Sequence, residues 1–344
     1  MNIFNKVQRR VLSVFAAASV FGTLLAGCSS PFENIAPVDP ISVSGFKLNT
    51  YVEIKGYDRN CTTELLQNAL AICDKYEQMF SRTLETSTLS QLNRHEITTV
   101  PSELGELIQY GITYGALSDG GFDISIGSLS SLWDFTSASP KVPPADYIDI
   151  AVKKINYRDI FLEKNSDGTY NVTIPENMIL DVGAIAKGYI ADKIKEYLLE
   201  NNVKSALINL GGNVLCVGSK PDNSPYNVRV RKPFGESSEY LCRLAASDIS
   251  IVTSGIYERC FTYDGRFYHH ILNPRTGYPY DNDLTQVTII SKDSVTGDCL
   301  STVCFTLGLK KGLSLIEATD GVEAIFVTSD NEMHYSSGAK KYII

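Results

Sequence analysis

Stretches rich in β-branched and aromatic residues are interspersed in this chain with stretches of helical apolar spacing, and no strict strand–helix–strand order emerges. That irregular order is the strongest constraint on its fold. A doubly wound parallel sheet needs a helix after nearly every strand, so an interspersed order favours α+β. Residues 46–54 read as a strand. Leu65, Leu66, Ala69, Ile72, Cys73, Tyr76 and Phe80 fall at helical spacing, which predicts a core helix over 62–80. A second helix is expected over 101–117, with proline early and Glu103 and Glu106 in its first turns. A third is expected over 183–199. Further strands are expected over 203–210, 248–253 and 285–290, and a strand pair over 214–218 and 226–231. Helices near 298–307 and 313–318 and short strands near 324–328 and 333–336 complete an α+β unit of mixed or antiparallel sheets and packed helices. No internal repeat is present.

The first residues read as a targeting segment. Lys6, Arg9 and Arg10 precede an uncharged run from Val11 to Ala26, too short for a membrane span and ending in small residues. Leu25-Ala26-Gly27-Cys28 is similar to the lipobox of bacterial lipoproteins. The resemblance implies a signal peptide over 1–27, diacylglycerol on Cys28 and an extracytoplasmic protein anchored to the bacterial cell membrane. The bland alternative is an ordinary signal peptide with an incidental cysteine. Residues 28–44, with Pro31, Pro37 and Pro40, read as a tether, leaving 45–344 as one folded catalytic unit. No later stretch reads as a membrane span. The formal charge of −8 becomes more negative once the three cations of the leader are removed. Without a basic cluster, such a balance argues against nucleic acid as a partner, and leaves room for one local basic pocket. The remaining cysteines, Cys61, Cys73, Cys216, Cys242, Cys260, Cys299 and Cys304, are odd in number and form no CxxC. They read as scattered core thiols, with one or two bridges left open.

Five stretches carry candidate chemistry. Tyr268 to Pro279 sets His269, His270 and Arg275 around a Pro274–Gly277 turn. Imidazole exchanges protons near neutral pH and guanidinium grips phosphate; otherwise the stretch is a surface turn with a half-buried histidine pair. Ser118 to Gly127 surrounds Phe122 and Asp123 with glycines, a loop that can bring backbone close to a ligand or a turn with a core phenylalanine. Leu180 to Tyr189 places Asp181 before a helix start whose free amides, with Lys187, suit an anion; the plain reading is a capped helix. Asn209-Leu210-Gly211-Gly212-Asn213 permits close approach of a planar ligand, or is merely a tight turn. Asp298 and Thr302 lie one helical turn apart and so share a face. That pair suits a hard cation such as Mg2+, or is an acid stabilising a helix start.

Six blocks, the FDISIG loop (122–127), DVGAIAKGY, NLGGN, TSGIYER (253–259), HHILNPRTGYP and the Asp298/Thr302 pair, occur in the order found in the ApbE family of FAD:protein FMN transferases, which the chain resembles over about residues 46–344. The resemblance implies Mg-dependent transfer of FMN from FAD to a Ser or Thr hydroxyl of an acceptor flavoprotein subunit in an exported or membrane redox system, with AMP leaving. It implies metal ligands from Asp298, Thr302 and the Ala184 carbonyl. It implies flavin and adenosine contacts from Leu48, Gly121, Phe122, Asp123, Asp181, Lys187 and Leu272, a basic position at Arg275, and His270 in proton transfer. Departures are Leu48-Asn49-Thr50 for Met-Gly-Thr, Thr83 where an aromatic ring is common, and Asn213 and Asn273 where Asp is common. Two other functions are an FAD pyrophosphatase giving FMN and AMP, and a flavin-binding lipoprotein without catalysis.

Overall fold

The computed structural model describes residues 39–236 and 238–344. The leader and Cys28 lie outside them, as does most of the expected tether. The strands are β1 Ile41–Lys47, β2 Thr50–Gly56, β3 Thr99–Val100, β4 Phe161–Lys164, β5 Tyr170–Thr173, β6 Ala206–Leu210, β7 Asn213–Val217, β8 Tyr226–Arg231, β9 Tyr240–Ala246, β10 Ser250–Gly255, β11 Cys260–Tyr263, β12 Arg266–His269, β13 Leu284–Ser291, β14 Glu323–Thr328 and β15 Met333–Tyr335. The helices are α1 Thr63–Phe80, α2 Thr88–Asn93, α3 Ser102–Leu117, α4 Gly127–Ser130, α5 Ala145–Val152, α6 Ala186–Glu200 and α7 Ser294–Glu317.

Eight strands form the central sheet in the order β1-β2-β6-β7-β10-β13-β14-β15, antiparallel throughout. The α+β expectation holds. The expected strand over 46–54 is a hairpin: Leu48 and Asn49 have φ of 54° and 55° and turn β1 back on β2, as a two-residue loop between twisted strands requires. β1 starts at Ile41, so the sheet takes in residues 41–44 that the sequence placed in the tether. The expected pairing of 214–218 with 226–231 does not form. β7 pairs with β6 and β10, while β8 pairs with β9 in a separate ribbon.

Both faces of the sheet are covered, which explains why β13 is buried at every position. Ile290 joins Val228, Val230 and Leu244 of the β8–β9 ribbon on one side. Val287 and Ile289 meet Leu300, Cys304 and Phe305 of α7 on the other. Each such side chain removed from water contributes about 1.5–3 kcal/mol. By length and composition α7 could cross a membrane, unlike anything the sequence reading foresaw. Gly308, at φ 74° and ψ 170°, breaks it, and its first half is packed into the core. All seven cysteines of the described residues are free thiols.

Candidate active site

The site begins where α6 and α7 touch. A Cβ on Gly188 would stand 2.5 Å from the Ser294 carbonyl oxygen, 2.7 Å from Val295 Cα and 2.8 Å from Asp298 Cβ, so only glycine lets the two backbones meet. A Cβ on Gly297 would likewise sit 2.8 Å from Val252 Cγ2, which seats α7 on β10. The Gly188 N–H donates to Asp298 Oδ2 at 2.8 Å. In a regular helix that amide would bond the carbonyl of Ala184. Diverted, it leaves the Ala184 carbonyl without a hydrogen-bond partner among the described residues. Lys187 Nζ lies 3.9 Å from Asp298 Oδ1. Burial pushes the Asp298 carboxyl up, while Lys187, the Gly188 amide and the Asn213 amide favour its charged form.

One turn on, the Thr302 hydroxyl is 3.3 Å from Ser254 Oγ at the end of β10. Asp298, Thr302 and the free carbonyl of Ala184 are hard oxygen donors of the kind Mg2+ takes. No group of three or more His, Cys, Asp or Glu side chains that could hold a metal ion occurs among the described residues. Asn213, first residue of β7 after the Gly211-Gly212 turn, is 1% exposed. Its Oδ1 accepts from Ser294 Oγ at 2.6 Å. Its Nδ2 has no hydrogen-bond partner among the described residues, although it lies close enough to Asp298 to favour the carboxylate. A buried donor left unpaired costs about 1–3 kcal/mol.

The two imidazoles of the histidine loop are held differently. His269 is buried; its Nε2 donates to the Tyr280 carbonyl at 2.9 Å and its Nδ1 accepts from the Ile271 amide at 3.3 Å. Both nitrogens are engaged in holding the loop. His270 is half-buried and its Nδ1 meets only the Arg259 carbonyl, at 3.3 Å. With Nδ1 as that donor, Nε2 keeps its lone pair and has no protein partner among the described residues. Enclosure of the ring, with the positive charges of Arg259 and Lys187 nearby, lowers the His270 pKa to about 3. It is therefore a neutral base at physiological pH.

This loop is fastened to the glycine-rich loop. The Tyr280 hydroxyl donates to the Gly121 carbonyl at 2.9 Å, and Arg275 bonds the Asp119 carboxylate at 2.9 Å. Arg275 thus ties two exposed loops together. Asp123 is buried and accepts from the Ser125 amide at 2.8 Å, the Ser125 hydroxyl at 2.7 Å and the Tyr157 amide at 2.9 Å, so both its oxygens hold the loop that follows Gly121 and buried Phe122. Asp181 accepts from Arg82 and Ser130, each at 2.8 Å, and from the Gly183 amide at 3.0 Å. Leu272 is buried beside Trp133 and Leu129. Leu48 sits at the β1–β2 turn, adjacent to the Gly211 turn, where a Cβ on Gly211 would lie 2.2 Å from Thr50 Oγ1.

The fold thus brings Lys187 and Gly188 of α6 against Asp298 of α7, with Lys187 close enough to act on His270 as well. Three participants were not among the expected site residues: Asn213, Ser254 and Glu258. Glu258 is an exposed residue, yet desolvation raises its pKa, opposed by Lys187 and Arg259 and reinforced by Asp298. The motif Thr253–Arg259 was the available signal for Ser254 and Glu258.

The ApbE family model matches residues 48–326. The chain belongs to the ApbE family. It is 36% identical over 278 residues to a protein of Klebsiella pneumoniae (strain 342) named FAD:protein FMN transferase, an alignment covering 79% of this chain and 85% of that one. A Treponema pallidum (strain Nichols) protein of the same name is 30% identical over 308 residues, 85% of each chain. Among solved structures, the ApbE protein of Thermotoga maritima superposes with a TM-score of 0.79 at 29% identity, over 88% of this chain and 99% of its own. The flavin transferase ApbE of Vibrio cholerae gives 0.78 at 25% identity, over 89% and 100%.

Proposed function

We propose that this ApbE-family chain is an FAD:protein FMN transferase, moving FMN from FAD to a Ser or Thr hydroxyl of an acceptor flavoprotein and releasing AMP. The observation that carries the reading is the Nε2 of His270, unpartnered among the described residues, with Lys187, the cation paired to Asp298, close enough to lower the His270 pKa. In the reaction, the acceptor oxygen forms a bond to the FMN phosphorus while the anhydride bond to the AMP oxygen breaks. AMP departs with that electron pair, and the acceptor proton passes to His270 Nε2. Such a base contributes about 10²–10⁴-fold in rate. The Arg259 carbonyl holds the tautomer that leaves Nε2 free. Lys187 supplies positive charge beside the phosphates, and the glycine-rich loop, held by Tyr280 and Asp123, offers backbone to the flavin half of the substrate.

Magnesium fits the oxygen set of Asp298, Thr302 and the Ala184 carbonyl, and when bound would neutralise charge on the anhydride. Incubation with FAD, magnesium and candidate acceptor subunits should give a fluorescent acceptor band and an FMN-sized mass addition on Ser or Thr. AMP release at the full rate without acceptor would instead favour FAD hydrolysis, and tight FAD binding without either product would favour a carrier. Lipidation at Cys28 and anchorage outside the cytoplasmic membrane complete the proposal, supported by the leader and lipobox pattern; radiolabelled lipid incorporation that survives Cys28→Ser would refute that part.

A further inference from the structure

We propose that Asn213 is a positioning residue for Asp298: its amide N–H, aimed by Ser294, holds the carboxylate so that its remaining lone pairs face the cleft. The inference rests on the reading of Asp298 as a ligand to a divalent cation. Three observations converge on it. Asn213 is 1% exposed, so its amide cannot turn to water. Its Oδ1 is held by the Ser294 hydroxyl at 2.6 Å, and Ser294 is itself anchored because its backbone N–H donates to Asp192 Oδ1 at 2.8 Å. With the oxygen fixed on that side, the nitrogen must lie on the other, where it is the buried side-chain polar atom left without a hydrogen-bond partner among the described residues.

A flipped amide would abandon the Ser294 hydroxyl's acceptor and set two acceptors, Asn213 Oδ1 and the Asp298 carboxylate, toward each other. The orientation is therefore dictated by chemistry. On the far side of the carboxylate, Oδ2 already accepts from the Gly188 amide at 2.8 Å. The Gly188 amide is the one donor seated on the carboxylate, and the unpaired Asn213 amide, oriented by Ser294, is the second that the proposal assigns to it. The other oxygen, Oδ1, has Lys187 Nζ 3.9 Å away. Outer-shell partners of this sort commonly alter metal affinity by about 10–100-fold when removed.

The test combines a stability cycle with a metal titration, both on flavin-free protein. Asn213→Leu keeps the heavy-atom shape and removes the donor; Asn213→Ser, too short to reach, serves if the leucine variant does not fold. In metal-free protein, Asn213→Leu should lower Tm in the wild-type background, and by less than half as much in an Asp298→Asn background, where no carboxylate remains to be held. Calorimetric titration with magnesium chloride alone should show affinity weakened about 10–100-fold in the folded variant. Equal Tm losses in both backgrounds, or wild-type magnesium affinity in the folded variant, overturns the proposal. A wild-type protein that takes up no magnesium removes the cation reading itself, a failure separable from an uncoupled cycle.

Discussion

Replacing Gly188 by alanine tests the geometry on which the site depends. Gly188 does not have the positive φ that would make glycine obligatory on conformational grounds, so an alanine there is resisted by space alone. In its favour, alanine in a helix gains about 1 kcal/mol over glycine. Against it, the new Cβ meets the Ser294 oxygen at 2.5 Å and Val295 Cα at 2.7 Å, backbone atoms that cannot rotate aside. Overpacking of this kind costs about 1–3 kcal/mol, and rigid neighbours place it at or beyond the upper end. The net loss should be about 2 kcal/mol, or roughly a 3 °C fall in Tm for a domain of this size. Activity should fall as well, because separating α6 from α7 stretches the Gly188–Asp298 hydrogen bond and shifts Lys187 with it. Thermal melts and in-gel flavin fluorescence of an acceptor measure both effects; an at least tenfold slower transfer at saturating FAD is expected, about 1.4 kcal/mol of barrier. Gly45→Ala is the control, since its Cβ would make only ordinary contacts, the nearest 3.7 Å from Leu70 Cδ2. A Gly188→Ala protein with the melting point and turnover of the wild type would refute the proposed packing.

Asp298→Ala should abolish transfer and leave a folded protein, as judged by circular dichroism; retained turnover would remove it from the reaction. His270→Ala should slow turnover about 10²–10⁴-fold, whereas His95→Ala and His334→Ala should leave it nearly unchanged. The His270 pKa of about 3 lies below the ordinary 6.5, so below pH 6.5 the unfolded chain binds a proton that the folded chain refuses. Stability is therefore lost as pH falls from 6.5 towards 3, and His270→Gln should gain about 1 kcal/mol on the wild type between pH 7 and 5 after allowance for partial exposure; parallel denaturant curves at the two pH values would contradict this. Tyr280→Phe removes the bond to the Gly121 carbonyl and should raise KM for FAD more than it lowers kcat.

Local patterns revealed much of this molecule. The 3.6-residue spacing placed α1 and α3 to within a residue or two, and the four-residue separation of Asp298 and Thr302 put both on one helix face. Strand partners were harder to read, because β2 pairs with β6 across a long intervening segment, and β13 is apolar on both faces for reasons belonging to its neighbours. The β8–β9 ribbon was missed as a separate layer because β9, Tyr240–Ala246, mixes charged and apolar residues without strong alternation. At the site, lone motifs were visible but their division of labour was not. Arg275 looked like a phosphate grip and in the structure pairs with Asp119, while Asn213 looked like part of a turn. Its meaning depends on Ser294 and Asp298, each more than eighty residues away.

The start of α7 has an unusual dependence. Its own boundary residue, Asp293, makes no side-chain capping bond; instead Asp192 of α6 accepts from the Ser294 and Val295 amides, each at 2.8 Å. The opening turn of α7 is thus completed by a carboxylate encoded about a hundred residues earlier, and cannot be stabilised in this way until the two helices have docked. Asp298 lies directly downstream of that turn. The position of Asp298 therefore depends on the docking of α6 against α7, and not on the helix that carries it alone.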